Sequence, residues 1–174
     1  MAPNTNSGRT KAAPRAASSR PTAVLVLSDG SVFKGRGFGA AVTNVGEVCF
    51  NTSMTGYQEI MTDPSYAGQI ITFTFPHIGN VGTNSKDLET ITPVALGMIV
   101  RQPVTSPASW RADSSLDDWL GAHNLPGISG IDTRALTRRI RDLGAPRGAL
   151  CHAPNGNIDT DALLEMAKSW PGLK

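Results

Sequence analysis

VCFNTSMTGYQEIMTDPSYAGQIITFTFPHIGNVGTN, residues 48–84, is the stretch on which the rest of the chain depends. Its first residues close one apolar, β-rich run, 45–51. Its middle begins a second, 69–75, where Ile71, Phe73 and Phe75 alternate with Thr72 and Thr74. Alternation with period two predicts a half-buried strand. Between the runs lie a break at Gly56, a helical turn expected over 55–61 with Tyr57, Ile60 and Met61 on one side, and the sequence Asp63-Pro64-Ser65-Tyr66. Proline presets the second position of a turn, and an aspartate side chain bonds the backbone ahead of it, so Ser65 is expected at a fixed point just before a strand. Residues 76–84 hold two glycines, two asparagines and no acid, which lets the backbone come close to a ligand or a partner. By composition, both features equally describe ordinary strand-end turns.

Working outward, TAVLVL at 22–27 is closed by Ser28-Asp29-Gly30-Ser31 and answered by 32–37, a hairpin pattern. Gly35, Gly37 and Gly39 follow in G-x-G-x-G spacing. No helical pattern opens behind them, so the reading is a bulged strand or a close backbone approach and not a phosphate loop. TPVALGMIVR at 92–101 reads as a central strand covered on both faces. Residues 102–113 read as a surface loop anchored by the Trp110 indole. Ser115 is placed to cap a helix, with Asp117 and Asp118 at its positive end. A strand at 127–131 then runs into Asp132, the expected cap of a helix with an apolar stripe of Leu136, Ile140 and Leu143 and a stop at Gly144. Away from that stripe lie Arg134, Arg138, Arg139 and Arg141, either a solvated face or one that takes phosphate or carboxylate. A last strand is expected at 147–152 and a last helix at 159–170. Strands in hairpins, and strands joined through helices, imply an α/β domain.

A chain of 174 residues suits one domain. Its longest apolar runs, such as 94–100, fall far short of the roughly 20 residues of a membrane-spanning helix. Residues 1–20 contain no acid and are expected to form a disordered basic tail, with an organelle transit peptide as the alternative. Arg9, Lys11, Arg15 and Arg20 in that tail leave 12 of the 16 basic residues to face 14 acids, so the body, 21–174, is slightly acidic. That charge argues against a nucleic-acid partner. Cys49 and Cys151 are too few for a disulfide framework and lack CxxC spacing; Cys49 reads as a buried thiol in a reducing, cytoplasmic setting. His77, His123 and His152 are scattered, with no acid at ligand spacing, which argues against a metal site.

The wording of residues 50–84 closely resembles the N-terminal domain of the small, glutamine-using subunit of carbamoyl-phosphate synthase. GISGIDTRALTRRIRDLGAPRGAL at 127–150, LSDGSVFKGRGFGA at 27–40 and SWPGLK at 169–174 extend the resemblance in the same order over nearly all of 21–174. It implies a three-layer β/β/α domain with a mixed central sheet, of the swivelling-domain type. It implies docking to the large subunit, which uses MgATP, while this chain binds no cofactor itself. Glutamine hydrolysis in that family belongs to a second, class I amidotransferase domain with a Cys, His and Glu triad, and no G-I-C-L-G-H-Q-like elbow occurs here. No catalytic residue is therefore assigned to this chain. The resemblance gives Ser65 a contact with glutamine at the boundary between the two domains. It makes Tyr57, Gln58, His77, Asn80 and Asn84 candidates for an interdomain or intersubunit surface. The implied product, carbamoyl phosphate, feeds pyrimidine and arginine synthesis. Two other readings compete: a free-standing interaction module of the same fold, and a hydrolase using Ser65 or Cys49 with His77.

Overall fold

The turn at Asp29-Gly30 starts the sheet. Gly30 takes φ 89°, a value that favours glycine, and the Asp29 side chain accepts from the Ser31 N–H at 2.8 Å. Antiparallel β1 (Ala23–Leu27) and β2 (Val32–Gly39) follow from it. The computed structural model describes residues 20–173, so the expected tail lies outside the described residues except for Arg20. Five more strands complete the sheet: β3 (Thr43–Asn51), β4 (Gln69–Phe73), β5 (Gly97–Ile99), β6 (Pro126–Ser129) and β7 (Arg147–His152). The described helices are α1 (Tyr57–Thr62), α2 (Leu116–Ala122), α3 (Thr133–Leu143) and α4 (Thr160–Ser169), with a 3₁₀ turn at Pro64–Tyr66.

The α/β composition and the mixed sheet match expectation, and the sheet closes on itself in the order β1-β2-β6-β5-β4-β3-β7. β3, β4, β5 and β6 run parallel, while β1, β2 and β7 pair antiparallel with their neighbours. Closure depends on β2 meeting β6, with Arg36 opposite Ser129. Gly35 makes that approach possible, because a Cβ there would lie 2.2 Å from the Ser129 carbonyl oxygen. The glycine spacing thus marks close packing in an unbroken strand.

Alternation then separates the apolar residues. Leu25, Leu27, Val48, Ile70, Ile99, Ile128 and Leu150 fill the barrel, and Leu136 and Ile140 of α3 join them. Outside, α1 and α2 cover Ile71, Phe73 and Met98. On another outer face, α4 covers Val24, Val26 and Ala149. Each large side chain fully buried in this way contributes about 1.5–3 kcal/mol relative to exposure.

Four expectations need correction. The strand of alternating Ile71 and Phe73, expected to be half-buried, is buried on both faces, because Thr72 lies on the barrel side with Ile70. The strand foreseen at 92–101 shrinks to Gly97–Ile99, because the amides of Val94 and Ala95 bond the Met61 carbonyl at the end of α1. Trp110 is 92% exposed and anchors nothing; its loop is held by backbone bonds, Ala108 N–H to Asn80 O at 2.9 Å and Asp113 N–H to Thr83 O at 2.8 Å. Leu143 is 73% exposed, since two turns of α3 suffice to reach the barrel cluster and the last turn runs beyond it.

Candidate functional site

Parallel pairing puts the carboxyl ends of β3, β4, β5 and β6 on one rim, which they share with the β1–β2 turn and the start of β7. In α/β sheets, ligands and partners are met at such strand ends. Here the residues just past the strands surround a groove of about 960 Å³: Thr52 after β3, Thr74 and His77 after β4, and Arg101 after β5. α3 forms another wall with Arg134, Arg138 and Arg141. Those three stand at i, i+4 and i+7, hence on one helical face. The face is aimed by Asp132, whose side chain accepts from the Ala135 N–H at 3.0 Å, and by Leu136 and Ile140, which lock the opposite side into the barrel.

Arg139 points elsewhere. Its Nε and Nη2 donate to Asp29 Oδ2 at 2.9 and 2.6 Å, clipping α3 to the β1–β2 turn. Burial works against the Asp29 carboxylate, but the Ser31 N–H and the Arg139 guanidinium outweigh it and hold its pKa below the usual range. One of the four helix arginines is therefore structural, while three face the groove with Arg101. No aspartate or glutamate lines that groove. Such an array takes up carboxylates or phosphates, because guanidinium groups pair with either through two parallel bonds.

Ser65 does not line the groove. It is exposed on the 3₁₀ turn before β4, where Asp63 Oδ1 accepts its N–H at 2.8 Å. This bond lowers the pKa of Asp63. Beside it, Tyr66 Oη accepts from Asn51 Nδ2 at 2.9 Å, and Asn51 Oδ1 accepts from the Ser53 N–H at 2.7 Å. Asn51 thus ties the Ser65 turn to the loop that leads from β3 to the groove.

The other candidates divide. His77 is exposed in the groove, edge-on to Phe75 with ring centroids 6.1 Å apart, and Asn80 is exposed in the same connection. Tyr57 and Gln58 are buried and turn their polar ends to that connection: Tyr57 Oη donates to Gly82 O at 2.5 Å, and Gln58 Nε2 to Asn84 O at 2.8 Å. Asn84 is half-buried; its side chain accepts from the amides of Lys86 and Asp87. These bonds hold the 76–84 connection against α1. Arg101, Thr52 and Thr74 escaped sequence reading; the available signal was their common place just beyond strands, visible once those strands are paired in parallel.

Ser65, Cys49 and His77 are not brought together. Cys49 packs from the outer face of β3 against the α1 and α2 cluster, where burial pushes its thiol up to about 12, aided by the nearby Glu47 charge. Among the described residues, no group of three or more His, Cys, Asp and Glu stands where it could hold a metal ion, and no helix is long and apolar enough to cross a membrane.

Barrel and groove define an α/β domain with a cationic groove at its parallel strand ends. Residues 25–150 match the family described as carbamoyl-phosphate synthase small chain, CPSase domain. The carbamoyl phosphate synthase small chain of Bradyrhizobium diazoefficiens is 58% identical over 159 residues, 89% of this chain and 40% of its own length. That of Ruegeria pomeroyi is 58% identical over 156 residues, covering 90% and 40%. That of Mesorhizobium japonicum is 54% identical over 164 residues, covering 92% and 41%. The chain belongs to the carbamoyl-phosphate synthase small chain family. It spans about two fifths of the length of these curated relatives, an extent that fits an N-terminal domain of the small subunit. Among solved structures, an aminopeptidase from Aneurinibacillus sp. strain AM-1 superposes loosely, with a TM-score of 0.43 at 12% identity over 78% of this chain and 32% of its own.

Proposed function

We propose that this chain serves as the N-terminal domain of the small subunit of a glutamine-hydrolysing carbamoyl-phosphate synthase, docking to the large subunit and completing the glutamine site. Family membership at 58% identity over 40% of the relative's length carries the reading. In the parent reaction, glutamine gives up ammonia in an amidotransferase domain, and the large subunit uses bicarbonate and two MgATP to make carbamoyl phosphate. Ammonia must stay sheltered, because in bulk water near neutral pH it is protonated and no longer a nucleophile. The domain's own part is structural and positional: it binds no cofactor, works in the cytoplasm and contributes to pyrimidine and arginine synthesis. Its finer architecture is the swivelling β/β/α type, with opposite walls of the barrel as the two β layers.

Ser65 is the residue assigned to glutamine. Its hydroxyl is exposed and its backbone is fixed by Asp63, so it is presented before substrate arrives. A neutral hydrogen bond contributes about 0.5–1.5 kcal/mol net, so Ser65→Ala in the full-length small subunit should raise the glutamine KM by about 2- to 10-fold. The ammonia-dependent activity of the complex should not change. An unaltered glutamine KM would remove Ser65 from the site. Failure of the chain to co-purify with the large subunit would favour a free-standing module.

A further inference from the structure

We infer that the rim groove seats an acidic surface of the large subunit, whose carboxylates are taken by Arg101, Arg134, Arg138 and Arg141. The inference rests on the proposed docking role and adds the surface and the chemistry of docking. These four guanidinium groups are exposed and have no hydrogen-bond or ion-pair partner among the described residues. Elsewhere arginines find partners: Arg139 holds Asp29, Arg111 holds Asp87, and Arg147 donates to the carbonyls of Lys168 and Trp170. Like charges on one helical face repel, so leaving three there disfavours the isolated domain. Residues 1–20 hold no acid that could neutralise them, and no acid lines the groove. The complementary charge is therefore not supplied by the groove lining or by residues 1–20.

The surroundings favour a protein over a small anion. Met54, 69% exposed, lies two residues from Thr52 of the groove lining. An exposed methionine near arginines fits the composition of a protein interface, in which Arg and Met are enriched. Phosphate alone makes no use of it. Among the lining residues only His77 carries an aromatic ring, which gives a nucleobase little to stack on.

The test measures binding of this chain to purified large subunit by surface plasmon resonance at about 50 and about 300 mM salt, conditions that change screening between exposed charges. Affinity should fall with salt, and the Arg134→Glu/Arg138→Glu double variant should weaken it by at least about tenfold. Arg101→Gln, on a different element, should weaken it by about threefold, whereas Lys168→Gln on α4 should have no effect. Unchanged thermal unfolding of each variant shows that the fold is intact. Wild-type binding that ignores both salt and the arginine variants would overturn the inference and leave the docking role standing. No binding by wild type would overturn both. Tight binding of inorganic tripolyphosphate that does not displace the large subunit would make the groove a small-anion site and also overturn it.

Discussion

Gln58 and Asn84 clasp each other: Gln58 Nε2 donates to the Asn84 carbonyl at 2.8 Å, and the Asn84 N–H donates back to Gln58 Oε1 at 3.0 Å. One buried side chain on α1 thereby imitates a backbone partner for a loop 26 residues away. Truncation to Ala would leave two backbone groups of Asn84 without partners, each costing about 1–3 kcal/mol when it stays dry. Gln58→Ala is therefore expected to lower unfolding stability by about 2 kcal/mol. Hydrogen exchange at the Asn84 amide should speed up well before global unfolding. Chemical denaturation and native-state exchange read both; an unprotected Asn84 amide in the wild-type protein would contradict the clasp.

Gly35 and Gly121 should respond oppositely to alanine. At Gly35 the new Cβ would lie 2.2 Å from the Ser129 oxygen, a backbone atom on the strand that closes the barrel. Relief requires β2 and β6 to separate, so Gly35→Ala is expected to cost about 3 kcal/mol or more. Gly121, within α2, has nothing within 4 Å of the added Cβ. There alanine removes unfolded-state freedom and raises helix propensity, so Gly121→Ala should stabilise by about 0.5 kcal/mol. Paired melting curves decide the matter.

These two glycines show what the sequence could and could not disclose. Local chemistry was legible: the Asp29-Gly30 turn, the Ser115 and Asp132 caps and the Asp63 bond to Ser65 all depend on residues within three positions of one another. The meeting of Arg36 with Ser129 was not, because pairing over 93 residues leaves no periodic trace in either strand. Leu143 obeys the apolar spacing of α3 yet stays exposed, since spacing gives a direction and not the distance to a barrel wall. For the same reason the arginines of α3 were visible as a face, whereas their meeting with Arg101 and His77 depended on strand order.

Thr72 carries the one buried side-chain polar atom with no hydrogen-bond partner among the described residues. By alternation it points into the barrel, on the same face of β4 as Ile70 and between Phe50 and Ile99 on the neighbouring strands. A dry, unpaired hydroxyl costs about 1–3 kcal/mol, and valine keeps the branched shape while removing it. Thr72→Val should raise the unfolding free energy by about 1 kcal/mol, measured by urea denaturation. A loss of stability would show that the hydroxyl is satisfied in solution.

Cys49 offers a test by reactivity and by pH. Burial, then the Glu47 charge, pushes its thiol up to about 12, and alkylation requires the thiolate. Against an ordinary thiol pKa of about 8.5, the thiolate fraction at pH 8 falls by roughly a thousandfold. Iodoacetamide should therefore modify Cys49 at least about 100-fold more slowly in the folded chain than in urea, as followed by peptide mapping. Stability shifts in a defined direction. Below about pH 8.5 the thiol is protonated in both states and contributes a constant amount. Between about 8.5 and 12 the unfolded chain releases the proton while the folded chain retains it, so stability falls as pH rises. Tyr57, raised to about 12 by burial, adds the same trend above its ordinary value of about 10. Cys49→Ala deletes the first contribution alone: its stability should decline less steeply than wild type between pH 8.5 and 10, by at most about 1.4 kcal/mol per pH unit. Parallel slopes for the two proteins would mean that Cys49 titrates alike in both states and that solvent reaches the outer face of β3.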